Sequence, residues 1–301
     1  MIHLFQSARS YQAREQRVRF FVHSGLFFIS CLMILPMLLV VSASFSTDQD
    51  LVTSGYALLP QHFTFAAYQY ILSDPGEVFN AYGVTLLITV IGTVVGVLIM
   101  ALFAYALSRR SFTYRKFLAF AVFFTLLFNG GLVPAYILVT QYLHLKNTLM
   151  VLILPTLAVP WFILLLRTYF LGLPQELLDA AKIDGAGEWR IFFRIVIPLS
   201  TPALATIGLF SMLAYWNDWF TALLYIDDQR LFPLQYLLYQ LTSSIDYLSS
   251  HANTQTVGIT VPVQSVRMAM VVIATGPIVF AFLLVKRYFV RGITVGSLKG
   301  D

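Results

Sequence analysis

Pro174–Pro198, PQELLDAAKIDGAGEWRIFFRIVIP, is the only long amphipathic, charge-bearing segment between otherwise apolar stretches of this chain, and its reading decides the fold. Pro174 suits the first turn of a helix, Gln175 and Glu176 follow where the helix dipole favours acceptors and anions, and Lys182 falls in the last turn. Asp184-Gly185 supplies a stop, because glycine tolerates the left-handed conformation of a helix C-cap. Glu188 to Val196 restarts as a second helix before Pro198, so the stretch reads as a helix–turn–helix elbow that does not cross a membrane. The small pair Ala180-Ala181 admits a close backbone, while Leu177, Leu178, Phe192, Phe193 and Ile195 supply apolar area. Such a pair either lies alone on a bilayer surface or docks a partner.

Outside the elbow the chain is apolar. It is 58% hydrophobic and 11% charged, with a mean hydropathy of +0.78, a balance that excludes an ordinary soluble domain. The single cysteine, Cys31, lies in an apolar run, which excludes an intrachain disulfide and a cysteine-based metal cluster. Basic groups outnumber acidic ones, 19 to 14, yet no compact basic patch with interleaved aromatics points to nucleic acid. Membrane topology accounts for the charge instead.

Residues 1–19 are polar and carry Arg9, Arg14, Arg17 and Arg19; the apolar run from Phe20 to Ser44 is long enough to span the hydrocarbon. A secretory signal with a cleavage site at Val41-Ser42-Ala43 is the alternative, but the run exceeds the usual length of a signal core and reads as an anchor. Further spans are expected near 81–107, 117–139, 149–171, 203–226 and 268–289. The fold expected is therefore all-α and polytopic: a domain of six transmembrane helices over 20–290, interrupted by the elbow at 174–198 and followed by a tail at 291–301. Sixteen of the Lys and Arg residues then fall on one side, among them Arg109, Arg110, Arg115 and Lys116, against Lys146, Arg230 and Arg267 on the other. The positive-inside rule places both termini and the elbow in the cytoplasm. The loops 45–80 and 227–267 lie outside, with Phe63, Phe65, Tyr68, Tyr236 and Tyr239 as belt or docking residues.

No G-x-x-x-x-G-K-[ST] loop is present, so any nucleotide energy must be used by another chain. His3, His23, His62, His144 and His251 show no ligand spacing, and no serine or cysteine has a recognisable base partner; neither a catalytic site nor a bound metal or cofactor is expected. Gly92 and Gly96 permit close helix approach, and Pro134, Pro155, Pro160 and Pro277 are expected to kink helices. Polar residues at membrane depth are costly and mark either interhelical clamps or a solute path. Asn129, within Phe128-Asn129-Gly130-Gly131, and Trp216-Asn217-Asp218-Trp219 are the candidates, and Asp218 is the only acid within the expected spans. Tryptophans beside amides and a carboxylate suit a hydroxyl-rich solute.

The elbow's spacing, Asp179-Ala180-Ala181, then Asp184-Gly185-Ala186, then Phe193, Ile197 and Pro198, resembles the "EAA" loop of permease subunits in ATP-binding-cassette importers. Asp179 stands where that family usually has glutamate. The runs Asn129–Tyr136 and Tyr215–Trp219 and the tail Arg291–Gly300 extend the resemblance over nearly the whole chain, to carbohydrate-importer permeases of the maltose type. The nearest branch serves oligosaccharide and alginate-oligosaccharide uptake. The resemblance implies a bacterial plasma (inner) membrane protein paired with a second, homologous permease as a heterodimer. Two copies of a cytoplasmic ATPase, which uses ATP and Mg, and an extracytoplasmic solute-binding protein complete the assembly. It implies further that Asp179, Ala180, Ala181, Asp184, Gly185, Ala186 and Phe193 seat in the ATPase, and that Val295, Gly296 and Ser297 reach between the two ATPases. The solute path would use Asn129, Tyr136, Trp216, Asn217, Asp218 and Trp219, and transport would proceed by alternating access. The alternative is a self-sufficient secondary transporter with Asp218 as coupling carboxylate, against which one intramembrane acid offers no proton relay.

Overall fold

The computed structural model describes the backbone of residues 2–251 and 262–297, and side-chain surroundings for 18–247 and 262–283. The described elements are helical, in the order α1 (Ile2–Ser44), α2 (Asp48–Thr53), α3 (Ala66–Ile71), α4 (Pro75–Ser108), α5 (Arg115–Leu127) and α6 (Leu132–Ile137). There follow α7 (Leu149–Ile153), α8 (Pro160–Leu171), α9 (Gln175–Ile183), α10 (Glu188–Ile191), α11 (Ile197–Leu199), α12 (Thr201–Trp216), α13 (Phe220–Tyr225), α14 (Leu234–His251) and α15 (Val263–Ser297). Turns of π-helix join α6 to Tyr142 and α10 to α11.

By length and apolarity Val18–Ser44, Pro75–Ser108 and Val263–Leu283 can each cross a membrane as single helices. Three more candidates are bent pairs: Arg115–Leu127 with Leu132–Tyr142 at 114°, Leu149–Thr156 with Pro160–Leu171 at 48°, and Glu188–Leu199 with Thr201–Trp216 at 80°. Two of these bends and one early helix end shift the expected boundaries. The 117–139 stretch breaks at Phe128–Gly131, where Gly131 takes φ +88°. The 203–226 helix ends at Trp216. The elbow's second half continues through Pro198 to Leu199, with a π turn at Phe192–Val196 before the proline and the bend at Ser200; prolines and π turns are the usual causes of sharp kinks. α1 runs unbroken from Ile2, and its stretch apolar enough to cross a membrane begins at Val18.

Contacts divide the chain into two units: 1–73 with 249–273, and 74–248 with 274–301. In the first unit Phe45 gathers the aromatics of the 45–80 loop, stacking on Phe63 at 5.2 Å and meeting Phe65 and Tyr68 at 5.7 and 5.0 Å. Asp48 caps the start of α15, its Oδ1 accepting from the backbone N–H of Gln264 (2.6 Å) and Ser265 (3.1 Å). Asp50, held by the Thr47 hydroxyl and then by His62 Nδ1 at 3.1 Å, sits below the usual carboxylate range for those two reasons in that order.

The second unit is built on α4. The expected close approach at Gly92 and Gly96 has specific partners. A Cβ on Gly92 would lie 2.4 Å from the Tyr215 ring of α12, and one on Gly96 would lie 2.9 Å from the carbonyl oxygen of Leu157. Tyr215 is buried and donates its hydroxyl to the Ile153 carbonyl at 2.8 Å, just ahead of Pro155. One tyrosine thus ties α12 to α4 and to the break in the 149–171 pair. Apolar clusters flank this waist. Towards the C-terminal end of α4 lie Met100, Ala104, Leu166, Phe170, Leu178, Ile191 and Phe192; towards its N-terminal end lie Val84, Ile88, Val151, Tyr225, Ile226 and Phe232.

Candidate functional site

The elbow folds as its sequence dictates. Asp184 is the C-cap of α9, Gly185 takes φ +77°, its N–H donates to the Lys182 carbonyl (3.0 Å), and the Ala186 N–H reaches back to the Ala181 carbonyl (2.9 Å). That bond pair is the Schellman motif, which satisfies the last carbonyls of a helix and favours glycine at the left-handed position. Leu178, Ile191 and Phe192 point into the core cluster. The opposite face is open: Asp179, Ala180, Asp184 and Gly185 are exposed, Ala181 and Ala186 half-buried, and Ile183 87%, Trp189 68% and Phe193 50% accessible. Trp189 stacks on Phe193 at 6.1 Å. Acidic groups beside bare aromatic and aliphatic side chains form a surface suited to a partner rather than to water.

Behind this surface lies a charged cluster that sequence reasoning missed. Glu188 accepts from the Tyr105 hydroxyl, pairs with Lys182 Nζ at 3.2 Å and faces Arg109 Nε at 3.4 Å. Arg167 Nε donates to the Leu107 carbonyl at 3.3 Å, at the same end of α4.

At the far end of α12 the Trp216–Trp219 run is a helix break, made by its own polar side chains. Asn217 Nδ2 donates back to the Leu213 carbonyl (2.9 Å), and Asp218 Oδ1 accepts from the Thr221 N–H (3.0 Å), starting α13. Trp216, one of the residues expected in the solute path, is turned into the bundle. It is 3% exposed, and its indole N–H donates to the Ala274 carbonyl of α15 at 2.9 Å. Trp219 and Asn217 remain open and acquire neighbours. Trp219 stacks on Tyr239 of α14 at 4.5 Å and 21°, Tyr236 continues the stack at 6.4 Å, and Gln235 Nε2 donates to Asn217 Oδ1 at 3.4 Å. Asn129 is exposed and engaged locally, accepting from the Gly131 N–H at 2.8 Å, while Tyr136 stacks on Tyr225 at 5.6 Å. In the tail, α15 stays helical through Ser297; the side chains of Val295, Gly296 and Ser297 lie outside the described residues.

Long apolar helices, with an amphipathic elbow open on one face and an aromatic–amide break at the end of α12, point to a multi-pass membrane protein. Residues 13–295 match the family described as binding-protein-dependent transport system inner membrane component, and the chain belongs to it. It is 37% identical over 279 residues, 93% of this chain and 97% of the relative, to the polygalacturonan/rhamnogalacturonan transport system permease protein YtcP of Bacillus subtilis. It is 31% identical over 280 residues, 92% and 95% of the two chains, to the arabinooligosaccharides transport system permease protein AraQ of Halalkalibacterium halodurans. A chain in the crystal structure of a bacterial ABC transporter involved in import of the acidic polysaccharide alginate superposes with a TM-score of 0.75 at 28% identity, covering 92% of this chain and 98% of that one. The chain is thus a non-catalytic permease subunit of an ABC importer, a multi-pass inner-membrane protein that works with other subunits, and ATP hydrolysis belongs to a partner. An Asp218-coupled secondary transporter has no support.

Proposed function

We propose that the chain is one half of the translocation pathway of a carbohydrate importer, working opposite a second, homologous permease as a heterodimer. Two copies of a cytoplasmic ATPase, which uses ATP and Mg, and an extracytoplasmic solute-binding protein complete the assembly. The observation that carries the coupling role is the open face of the elbow, Asp179, Ala180, Asp184, Gly185 and Phe193, set on a buried base of Leu178, Ile191 and Phe192. A surface held rigidly from behind and bare in front transmits force from a docked ATPase to α4. The six spans, with both termini and the Val295–Ser297 tail in the cytoplasm, put the elbow on the ATPase side. Alternating access follows when ATPase closure biases one of two arrangements of the bent helices.

The solute is an oligosaccharide; relatives named for polygalacturonan, rhamnogalacturonan and arabinooligosaccharide transport, and a structural relative that imports alginate, favour that class. Within the path we assign Asn217 and Trp219 together with Tyr239 and Gln235, whose aromatic faces and amides match sugar rings and hydroxyls. Asn129, Asp218 and Tyr136 contribute by shaping the breaks beside it.

Gly185→Val tests the coupling role. Nothing lies within 4 Å of the added Cβ, so the change acts through the left-handed backbone alone, at about 1–2 kcal/mol or more. The protein should accumulate in the membrane while solute-stimulated ATPase activity of the reconstituted complex is lost; parental stimulation would refute the role. Trp219→Ala tests the path: the uptake ratio of two competing oligosaccharides should shift by about tenfold, and an unchanged ratio would remove Trp219 from it.

A further inference from the structure

Glu188 opens the second half of the elbow, and its carboxylate is where three elements meet. From α4, Tyr105 donates its hydroxyl to Oε2, and Arg109, at the helix's C-terminal boundary, brings Nε to 3.4 Å of the same oxygen. From the last turn of α9, Lys182 holds Oε1 at 3.2 Å. The Arg109 guanidinium lies over the Tyr105 ring at 5.3 Å, and that ring packs on Phe192 at 5.2 Å. Arg109 is buried and its Nε has no closer acceptor, so Glu188 is the charge that compensates it; an unpaired buried cation is strongly disfavoured.

Apolar burial holds the elbow down but is non-directional and leaves tilt free. Charged contacts between side chains fix the tilt. A cavity of about 420 Å³, lined by Leu102, Phe112, Trp189 and the Glu188 group, lies beside the carboxylate, so it can swing away from Tyr105 without a clash.

We infer that Glu188 is a positioning residue that clasps both halves of the elbow to the end of α4, so that a push on the elbow reaches α4 as one rigid lever. The inference rests on the coupling role proposed for the elbow. The clasp adds what that role lacks: the joint through which motion leaves the elbow.

The test uses the full complex, reconstituted with its partner permease, ATPases and binding protein. Glu188→Gln keeps the shape and removes the charge, while Tyr105→Phe removes one hydroxyl. In Glu188→Gln the ratio of binding-protein-stimulated to basal ATP hydrolysis, per assembled complex, should fall at least about fivefold. Tyr105→Phe should fall less, and the double variant should fall at least as far as Glu188→Gln, because a glutamine oxygen can still accept from the Tyr105 hydroxyl until that hydroxyl is removed. A residue that only stabilises the fold would lower the amount of complex and leave that ratio unchanged, and an unchanged ratio in both variants overturns the clasp. Should Glu188→Gln fail to accumulate, Tyr105→Phe decides alone, with a parental ratio refuting the inference. If the ATPase does not co-purify with the parent chain, the coupling role itself fails, and the clasp with it.

Discussion

At the N-terminal end of α4 three amide and hydroxyl side chains grip backbone, whereas at its C-terminal end the Glu188 carboxylate gathers the side chains of Tyr105, Arg109 and Lys182. Asn80 Nδ2 donates to the Arg230 carbonyl (2.8 Å), Thr85 Oγ1 accepts from the Leu234 N–H (2.8 Å), and Asn147 Oδ1 accepts from the N–H groups of Asp227 (2.6 Å) and Asp228 (3.2 Å). A backbone partner is fixed by the chain around it, so such a clamp holds one geometry. The Tyr105–Arg109–Lys182–Glu188 group has rotamers on every side of each contact and can exist closed or open. Backbone clamps at one end and a side-chain clasp at the other leave α4 with two differently held ends.

The largest test of this comparison asks whether the two ends face opposite sides of the membrane. In a Cys31→Ala background, cysteine at Gln229, exposed among the N-terminal clamps, should react fully with an impermeant thiol reagent in intact cells. Cysteine at Ile183, 87% accessible on the elbow, should react only after permeabilisation. Equal labelling of the two would put both ends on one side and dissolve the distinction between anchor and lever.

The halves of the comparison were unequally legible. Asp184-Gly185 announced a C-cap because that chemistry is local, and the Schellman bonds follow. Gly92 and Gly96 were visible as a close-approach motif, but not their partners, since Tyr215 and Leu157 come from distant helices. Glu188 gave no signal: its partner Tyr105 is 83 residues away, and a glutamate after a turn is ordinary. The Phe128–Gly131 and Trp216–Trp219 breaks fall on polar residues that the sequence did show, but a span-length hydropathy window averages over so short an interruption and does not mark a helix end. For the same reason Trp216 was grouped with Trp219, although the break sends one indole into the bundle against Ala274 and leaves the other beside Tyr239.

A smaller effect is expected from the strongest of the N-terminal clamps. Asn147 has φ +58°, a conformation asparagine tolerates better than most residues. Asn147→Ala forfeits two accepted hydrogen bonds and keeps the strained backbone, a loss of roughly 1–3 kcal/mol. Asn147→Gly loses the same bonds but relieves the strain and should fall between parent and alanine in melting temperature. Neither should change the stimulated-to-basal ATPase ratio per assembled complex. A ratio that fell with Asn147→Ala would show the anchor end to be part of the lever.

The least effect separates neighbours in sequence, Lys146 and Asn147. Lys146 Nζ pairs with Asp227 Oδ2 at 2.7 Å, and its pKa is raised above 10.5, first by that hydrogen bond and then by the carboxylate's charge. A raised folded-state value means the pair's contribution is fully present below the ordinary lysine pKa and is lost as pH rises through the raised one. The pair is solvent-exposed, so replacing Lys146 with Met should lower the melting temperature of the solubilised protein only slightly at neutral pH. That gap from the parent should close only in strong alkali, once the pH has passed the raised lysine pKa and the parent's lysine is neutral as well. The gap left by Asn147→Ala should persist over the same range, because an amide oxygen accepting from backbone N–H groups does not titrate. Other groups ionise in strong alkali, so the difference between variant and parent at each pH is the quantity to follow. A Lys146→Met gap that stayed constant would mean that packing of the lysine stem, not its charge, supports this corner. A vanishing Asn147→Ala gap would mean that the clamp depends on the neighbouring ion pair after all.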